Sequence, residues 1–250
     1  MKTVKITNLG CAKNLVDAEI MAGLLQESGF VITDDEQRAD VIIINTCGFI
    51  SAAREESVAE ILRLAGYKKT GSLKSLVVTG CLAQRYSGDI LEELPEVDGL
   101  IGTGEIPRIV EVVKKCLEGV RASQVNIPSF IYNHEMPRVL LTPRHSAYIK
   151  VAEGCSNRCA YCAIPAIRGE YRSRPMESLV NEAESLAEAG VKEINLIAQD
   201  TTRYGFDIYG GFKLDELLLK LSEVNGISWI RLLYAYPSHF TDGLIEAISG

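Results

Sequence analysis

The sequence predicts an α/β protein with two successive domains, a doubly wound parallel-sheet domain and then the first half of a parallel (β/α) barrel. Short apolar, β-branched runs alternate with amphipathic helical patterns along the chain, and one proline-containing stretch interrupts this alternation. With 250 residues, 47% of them hydrophobic, the chain can form two ordinary cores. We expect a first domain over residues 1–118, a linker over 119–146 and a second domain over 147–250.

The first domain shows the alternation most regularly. Predicted strands cover 3–9, 40–46, 73–80 and 97–102, and predicted helices cover 18–29, 51–66 and 106–119. Strands that are apolar along nearly their whole length are typical of a parallel sheet with helices on both faces. The sequence therefore favours a small flavodoxin-like domain.

The second domain follows a stretch with little helical periodicity. Residues 119–146 hold three prolines, which is typical of an interdomain connection that can include a short strand. Beyond it, predicted strands at 147–154, 191–200 and 229–237 alternate with helices at 176–190 and 213–226, and a further helix begins near residue 240. Three β/α units form half of a parallel barrel and do not close it.

Composition and cysteine content narrow the class of protein. The chain has no apolar run long enough to span a membrane, and its first residues lack the apolar core of a signal peptide, so the expected location is cytoplasmic. A net charge of -7 argues against direct nucleic-acid binding and suits a positively charged protein partner. Seven cysteines in a reducing compartment indicate metal binding or catalysis rather than disulfides.

Three cysteines lie close together at the start of the second domain. The stretch EGCSNRCAYCAIP, residues 153–165, places Cys155, Cys159 and Cys162 on one loop directly after a predicted strand. A structural zinc site or a ferredoxin-type cluster uses four ligands, and no fourth cysteine or nearby histidine completes this set. Three cysteines suit a 4Fe-4S cluster whose open iron binds a small chelating ligand such as S-adenosylmethionine, and Tyr161 can shield the cluster and lie near an adenine. An incomplete zinc site is the alternative.

A second set of cysteines is dispersed along the first domain. Cys11, Cys47 and Cys81 each lie just past the carboxyl end of a predicted strand, and in a parallel sheet those ends share one edge. Three thiolates at this edge can hold a second iron-sulfur cluster with a free iron, although three buried apolar side chains are the alternative. Cys116 differs, because it shares a helical face with apolar residues and is predicted to belong to the core. That face comprises Ile109, Val112, Val113 and Val120.

Arginines and strand ends supply candidate residues for a ligand pocket. Arg168, Arg172 and Arg174 can pair with the carboxylate of S-adenosylmethionine or of an acidic substrate. Gln199 and Arg231 lie toward the carboxyl ends of the second and third barrel strands, where barrel enzymes place functional groups. Other residues at these strand ends are Asp200, Tyr234 and Tyr236. The predicted S-adenosylmethionine pocket consists of Tyr161, Arg174, Gln199 and Arg231. None of the three histidines has a partner at ligand spacing.

The two cysteine sets and their surroundings resemble the radical S-adenosylmethionine superfamily and, within it, the methylthiotransferase family. The resemblance is carried by residues 9–19, 45–57, 79–86, 152–175, 196–205 and 230–237. The segments GCAKNL and NTCGFI favour the branch that modifies a ribosomal protein over the branch that modifies transfer RNA. Members of the family normally continue through the rest of the barrel into a small basic β-barrel, the TRAM domain, and this sequence is expected to end before both.

The resemblance implies an enzyme with two 4Fe-4S clusters, one on each cysteine set, and with S-adenosylmethionine as cofactor. One S-adenosylmethionine would give its methyl group to sulfur at the first cluster, and a second would be cleaved at the other cluster to produce the radical that activates the β-carbon of an aspartate in small-subunit ribosomal protein twelve. An electron donor such as flavodoxin or ferredoxin would be a further partner. Two alternatives stay open: a transfer RNA adenosine methylthiotransferase, and a non-catalytic iron-sulfur or zinc protein. No catalytic residue beyond the cluster ligands is predicted.

Overall fold

The computed structural model describes residues 1–249 and divides the chain into two compact units. The first unit comprises Met1–Phe130, Met136–Val139 and Ala166–Arg168. The second comprises Ile131–Glu135, Leu140–Pro165 and the chain from Gly169 onward. Residue 250, at which the last predicted helix ends, lies outside the described residues. Within residues 1–249 no helix is both long and apolar enough to cross a membrane.

Six parallel strands form the sheet of the first unit, in the order β2-β1-β3-β4-β5-β6. The strands are β1 (Thr3–Asn8), β2 (Val31–Ile32), β3 (Val41–Thr46), β4 (Ser75–Gly80), β5 (Gly99–Ile101) and β6 (Ala122–Gln124). This order, with the second strand outside the first, is that of flavodoxin, and it confirms the predicted fold class. β2 is additional to the prediction because it is too short to give a pattern, and β6 is the short strand that the connection over 119–146 is expected to be able to include.

Helices that pack against this sheet complete the core of the first unit. They are α1 (Ala12–Glu27), α2 (Ser51–Ala65), α3 (Tyr67–Thr70), α4 (Cys81–Arg85), α5 (Ser87–Glu93) and α6 (Ile109–Leu117). Ile42 and Ile44 of β3 share one cluster with Ile61 and Leu64 of α2. Every residue of β3 and β4 is buried, which accounts for their nearly continuous apolar sequence.

Helix α6 buries Cys116 among apolar residues, in agreement with the prediction that this cysteine belongs to the core. Val120 is predicted to lie on the same buried helical face, and this prediction is wrong, because Val120 is 53% exposed. The helix ends at Leu117, and Gly119 then adopts a φ of +81°, so the chain turns before residue 120.

Asp40, at the amino-terminal end of β3, connects three strands of this sheet through its carboxylate. It accepts hydrogen bonds from the backbone amide of Thr3 at 2.9 Å and from Nζ of Lys74 at 2.7 Å. Burial alone would raise the pKa of Asp40, but the bonds from Lys74 and Thr3 and the charge of Lys2 outweigh it and lower the pKa to about 2. Because the folded pKa lies below the unfolded one, the ionised carboxylate stabilises the folded state above about pH 4, and this stabilisation is lost as the pH falls toward 2.

We expect Asp40→Asn to lower the free energy of unfolding by about 1 kcal/mol near neutral pH, the figure being discounted for the partly exposed lysine partners. The difference from the wild type should shrink below about pH 4 and approach zero only at about pH 1, where the Asp40 carboxylate is protonated in the folded state as well. Urea unfolding at the two pH values measures it, with Glu96→Gln, an exposed carboxylate of the same unit, as control. A difference independent of pH would show that the asparagine acts through packing rather than through charge.

Three parallel strands form the main sheet of the second unit, in the order β11-β10-β7, and β8 pairs with β9 in an antiparallel ribbon. The strands are β7 (Ser146–Lys150), β8 (Ala152–Glu153), β9 (Arg172–Ser173), β10 (Glu193–Ile197) and β11 (Trp229–Leu232). The helices of this unit are α8 (Met176–Glu188), α9 (Phe206–Tyr209), α10 (Leu214–Ser222) and α11 (Asp242–Ser249). Helix α7 (Ile164–Arg168) begins in this unit, and its residues Ala166–Arg168 belong to the first unit. Three strands do not close a barrel, so the predicted partial barrel is confirmed.

The sheet of the second unit has one face packed on helices and one face without them. Ile194 and Leu196 of β10 lie in a core cluster with the buried leucines of α8 and α10. Tyr148, Asn195 and Arg231, which are register partners on β7, β10 and β11, alternate with these core positions and therefore lie on the opposite face. In a parallel barrel this second face is the interior, which is where ligands reach the carboxyl ends of the strands.

Candidate metal centres

The first unit brings Cys11, Cys47 and Cys81 to one edge of its sheet. Cys11 precedes α1, Cys47 follows β3 and Cys81 begins α4, and the strands that lead to them, β1, β3 and β4, are neighbours in the sheet. Oδ1 of Asn14 lies 4.0 Å from Sγ of Cys11 and 3.8 Å from Sγ of Cys81. The flavodoxin order thus assembles three thiols that are 36 and 34 residues apart in the sequence.

A glycine beside each of these cysteines allows the three loops to approach. A Cβ on Gly10 would lie 3.0 Å from Cβ of Cys47, and one on Gly48 would lie 2.8 Å from the backbone of Leu82. Gly80 has a φ of +92°, and its Cβ would lie 2.5 Å from the carbonyl oxygen of Thr46. Because no side chain fits at these three positions, the close approach of the loops requires glycine.

Asn14 and Arg168 form a polar support under this set. Nδ2 of Asn14 donates to the carbonyl oxygens of Leu9 at 3.1 Å and of Thr46 at 2.9 Å, so the amide joins two of the cysteine loops. Its Oδ1 accepts from Arg168 at 2.6 Å, and Arg168, which is 1% exposed, also donates to Oδ2 of Asp17 at 3.1 Å. The arrangement fixes a positive charge close to the three thiols.

The protonation of Cys81 shows that the three thiols interact. Burial raises the pKa of the Cys81 thiol, the Arg168 guanidinium opposes this shift, and the nearby Cys11 and Cys47 add to it. A thiolate is the form that binds metal, so a cationic centre at this edge would favour deprotonation of all three groups.

Asn14, Asp17 and Arg168 are functional residues that the sequence did not indicate as one group. Asn14 and Asp17 stand three and six residues after Cys11 on α1, a spacing that places polar side chains on the helix near the thiol. Because α1 also buries Lys13 and Glu19, no pattern in the sequence distinguished Asn14 and Asp17 from the other polar residues of this helix. Arg168 is predicted to pair with a ligand or substrate carboxylate; in the structure its guanidinium donates to Asp17, and its pairing with a ligand stays a prediction.

The second unit holds Cys155, Cys159 and Cys162 on the loop between β8 and α7. Cys155 is buried and its amide donates to the carbonyl oxygen of Gly169 at 3.0 Å, while the amide of Cys162 closes a turn on the carbonyl oxygen of Cys159 at 3.0 Å. Burial raises the pKa of the Cys155 thiol, an interaction with the backbone of Asn157 opposes it, and Asp200, Cys162 and Cys159 raise it further. The loop therefore holds three mutually interacting thiols, two of them partly exposed.

Asp200 anchors this cysteine loop to the end of β10. Its carboxylate accepts hydrogen bonds from Nδ2 of Asn157 at 2.9 Å and from Oγ1 of Thr202 at 2.6 Å, and it contacts Nδ1 of His239 at 3.1 Å. Asp200 is 1% exposed. His239, for which the sequence indicated no partner, thus belongs to the network that holds the loop.

Gly154, next to Cys155, is expected to be the most sensitive glycine of the loop. It has a φ of +74°, and a Cβ would lie 2.0 Å from the carbonyl oxygen of Glu170. Gly190 has a φ of +96° with open space around it, which makes it a matched control. We expect Gly190→Ala to cost about 1 kcal/mol from backbone strain and Gly154→Ala at least about 2 kcal/mol more, measured by urea unfolding. Equal losses would contradict the close approach of residues 154 and 170.

The four residues of the predicted S-adenosylmethionine pocket differ in solvent exposure and in their partners. Tyr161 is 87% exposed and Gln199 is half-buried. Arg174 is fully buried inside the second unit, where it pairs with Glu182 and donates to Oγ of Ser178. Its guanidinium is held by these partners, and its role in the S-adenosylmethionine pocket stays a prediction.

Two further arginines also have partners within the second unit. Arg231 forms an ion pair with Glu193 at 3.0 Å on the face of the sheet that carries no helices. Arg172 donates to the carbonyl oxygen of Glu170 at 2.6 Å, and its pKa is lowered by burial. Within residues 1–249, no group of three or more His, Cys, Asp or Glu side chains is arranged to hold a single metal ion.

Comparison with known proteins defines the class. Residues 3–102 match the Uncharacterized protein family UPF0004, and residues 149–248 match the Radical SAM superfamily. The radical S-adenosylmethionine methyltransferase TsrM from Kitasatospora setae superposes with a TM-score of 0.61 at 17% identity, over 100% of this chain and 57% of that one. The cobalamin-dependent S-adenosylmethionine radical enzyme OxsB gives a TM-score of 0.56 at 14% identity, over 100% and 42%. These likenesses concern the fold alone, whereas the match to the Radical SAM superfamily identifies residues 149–248 as a radical S-adenosylmethionine domain.

Curated relatives narrow the class to one family. The chain is 56% identical to the ribosomal protein uS12 methylthiotransferase RimO of Desulforamulus reducens, over 100% of this chain and 56% of the relative. It is 54% identical to RimO of Heliobacterium modesticaldum, over 98% and 54%, and 50% identical to RimO of Clostridioides difficile, over 99% and 56%. The chain spans about half the length of these relatives. It belongs to the RimO-type family of radical S-adenosylmethionine methylthiotransferases.

Proposed function

We propose that the protein adds a methylthio group to the β-carbon of an aspartate in ribosomal protein uS12. The observation that carries the proposal is the presence, in one chain, of two three-cysteine sets in separate units, within a sequence whose curated relatives are named as uS12 methylthiotransferases. The sulfur insertion and the methyl transfer that the name implies are part of the proposal.

The donor sets fit two iron-sulfur clusters. Cys11, Cys47 and Cys81 would hold one cluster, and the three cysteines of the loop after β8 would hold the other. Thiolates are the ligands that such clusters use, and three in each set leave one iron open. When bound, the clusters and S-adenosylmethionine would supply a hydrogen-abstracting radical at the second set and a carrier for sulfur at the first.

The residues of the chain would position these groups and hold charge near them. Arg168, fixed by Asp17 and Asn14, places a cation beside a set of three thiolates, which stabilises their negative charge. Asp200 holds the loop of the second set through Asn157, which limits its motion. Tyr161 and Gln199 stay the proposed S-adenosylmethionine contacts, and Arg231 would reach a ligand only after leaving Glu193.

The partners follow from this activity. The substrate would be uS12, and the electron donor would be a protein of the flavodoxin or ferredoxin type. We propose a cytoplasmic site of action, without membrane or direct nucleic-acid binding.

The test is product analysis under anaerobic conditions. The reconstituted protein is incubated with S-adenosylmethionine, a reductant, sulfide and purified uS12, and the tryptic peptides are examined by mass spectrometry. One methylthio group on an aspartate of uS12 is expected. Modification of transfer RNA in a parallel reaction, with uS12 unchanged, would assign the chain to the transfer RNA activity. No cleavage of S-adenosylmethionine with both clusters present would favour a non-catalytic iron-sulfur protein.

A further inference from the structure

An apolar groove lies on the first unit between α2 and the helices α4 and α5. It encloses about 610 Å³ and is lined by Val58 and Leu62 of α2 and by Leu82, Ile90 and Leu94 of the facing segment. Leu82 and Ile90 are buried members of the same core cluster as Ile61 of α2, and Val58 and Leu94 pack against that cluster. Leu62 is 48% exposed, so apolar surface of α2 stays accessible at the groove. An exposed apolar side chain at a groove is a surface that another chain can cover.

The rim of this groove is acidic. Glu55, Asp89 and Glu93 line it, and within residues 1–249 none of these three carboxylates forms a salt bridge. The groove also contains Arg54, whose guanidinium donates to Oη of Tyr86 at 2.7 Å and to Oγ of Ser51 at 2.8 Å and keeps its positive charge. With three carboxylates against one guanidinium, the groove offers apolar contacts and a net negative charge together.

The groove starts next to the first cysteine set. Leu82 directly follows Cys81, and Ser51 stands four residues after Cys47. Between Cys47 and Ser51, Phe49 and Ile50 are 40% and 57% exposed, so the apolar surface continues from the groove toward the thiols. A bound segment could run from the groove to this edge of the sheet.

We propose that this groove binds a positively charged segment of the substrate protein, with apolar side chains in the groove and Lys or Arg side chains on its acidic rim. The proposal rests on the proposed function, because it takes uS12 as the occupant. A ribosomal protein that neutralises RNA phosphates carries excess Lys and Arg, which complements three free carboxylates. A negatively charged electron carrier or transfer RNA would be repelled by the same rim.

The test compares charge reversals one residue apart on the same helices. Glu55→Lys/Glu93→Lys changes the groove rim, and Glu56→Lys/Glu92→Lys makes the same change at exposed neighbours that do not line the groove. Binding of fluorescently labelled uS12 is measured by anisotropy at low and moderate salt. We expect the rim variant to raise Kd about tenfold and the neighbour variant no more than about twofold, with a weaker salt dependence for the rim variant. Leu62→Gln tests the apolar part and should raise Kd about fivefold. Urea midpoints and iron content of the variants check that each one is folded and loaded.

The outcomes separate this proposal from the proposed function. Equal Kd values for the rim and neighbour variants, or no binding of uS12 to the wild-type chain, would overturn the groove assignment. A third outcome is that the wild-type chain binds uS12 without methylthiolating it and that only the rim variant loses this binding. That result would support the groove and contradict the proposed function. Rim-dependent binding of a second copy of the chain or of transfer RNA, instead of uS12, would also overturn the proposal.

Discussion

Replacing Cys155 by alanine should abolish reductive cleavage of S-adenosylmethionine, whereas Cys47→Ala should retain cleavage and stop sulfur transfer to the substrate. The reason is that each change removes one of the three proposed ligands of one cluster, and the two cysteine sets lie in separate units of the chain. The measurements are deoxyadenosine formation and iron and sulfide content after anaerobic reconstitution. Iron should be roughly eight per chain in the wild type and about four in each variant.

Cys116→Ala is the matched control for this experiment. Cys116 is a buried cysteine of the first unit, but its Sγ contacts the carbonyl oxygen of Asp98 and it belongs to the core. Its replacement should leave iron content and cleavage unchanged. Equal loss of cleavage in the Cys47 and Cys155 variants would contradict the division of labour between the two sets. About four irons in both the wild type and Cys47→Ala would mean that the first set holds no cluster.

Arg168→Met should destabilise the first unit by about 3 kcal/mol or more, because it leaves the carboxylate of Asp17 buried without its cation. Arg168 and Asp17 are 1% and 3% exposed, so water cannot replace the lost partner. Urea unfolding of the protein without clusters measures the loss. Adding Asp17→Asn to Arg168→Met should recover part of it, since the double variant no longer buries the carboxylate charge that Arg168 balances in the wild type.

Arg63→Met serves as the control for this prediction. Arg63 also pairs with carboxylates, Glu36 and Glu60, but on the exposed side of the first unit. Surface pairs contribute little, so its replacement should cost less than about 1 kcal/mol. If Arg63→Met and Arg168→Met lowered the free energy of unfolding by similar amounts, the Arg168–Asp17 ion pair would not be behaving as a buried pair.

The fold class and the grouping of Cys11, Cys47 and Cys81 could be predicted from two features. One is the run of apolar residues that marks each strand, and the other is the rule that parallel strands end at the same edge of a sheet. Apolar runs identify β1, β3 and β4, and parallel strands present their carboxyl ends at one edge. The apolar run before Cys155 likewise predicted a barrel strand that ends next to this cysteine. Short elements escaped this reasoning, since the two residues of β2 carry no periodicity.

Arginine partners could not be predicted in the same way. Arg168, Arg172 and Arg174 stand within seven residues of each other and were given one role, yet Arg168 pairs with Asp17, 151 residues away, and Arg174 pairs with Glu182. A long, flexible side chain reaches several neighbours, and which neighbour it meets is decided by packing.

The sequence by itself determined the two α/β units, the six candidate cluster ligands and the core position of Cys116, because residue spacing and hydrophobic period are properties of the chain. Only the tertiary structure decided which polar groups support those ligands: Asn14 and Arg168 under the first set, and Asp200 with His239 beside the second. It also decided that the exposed Leu62 of α2 lies at an acidic groove. These features join residues far apart in the chain, and their contacts exist only once burial has fixed the side chains against one another.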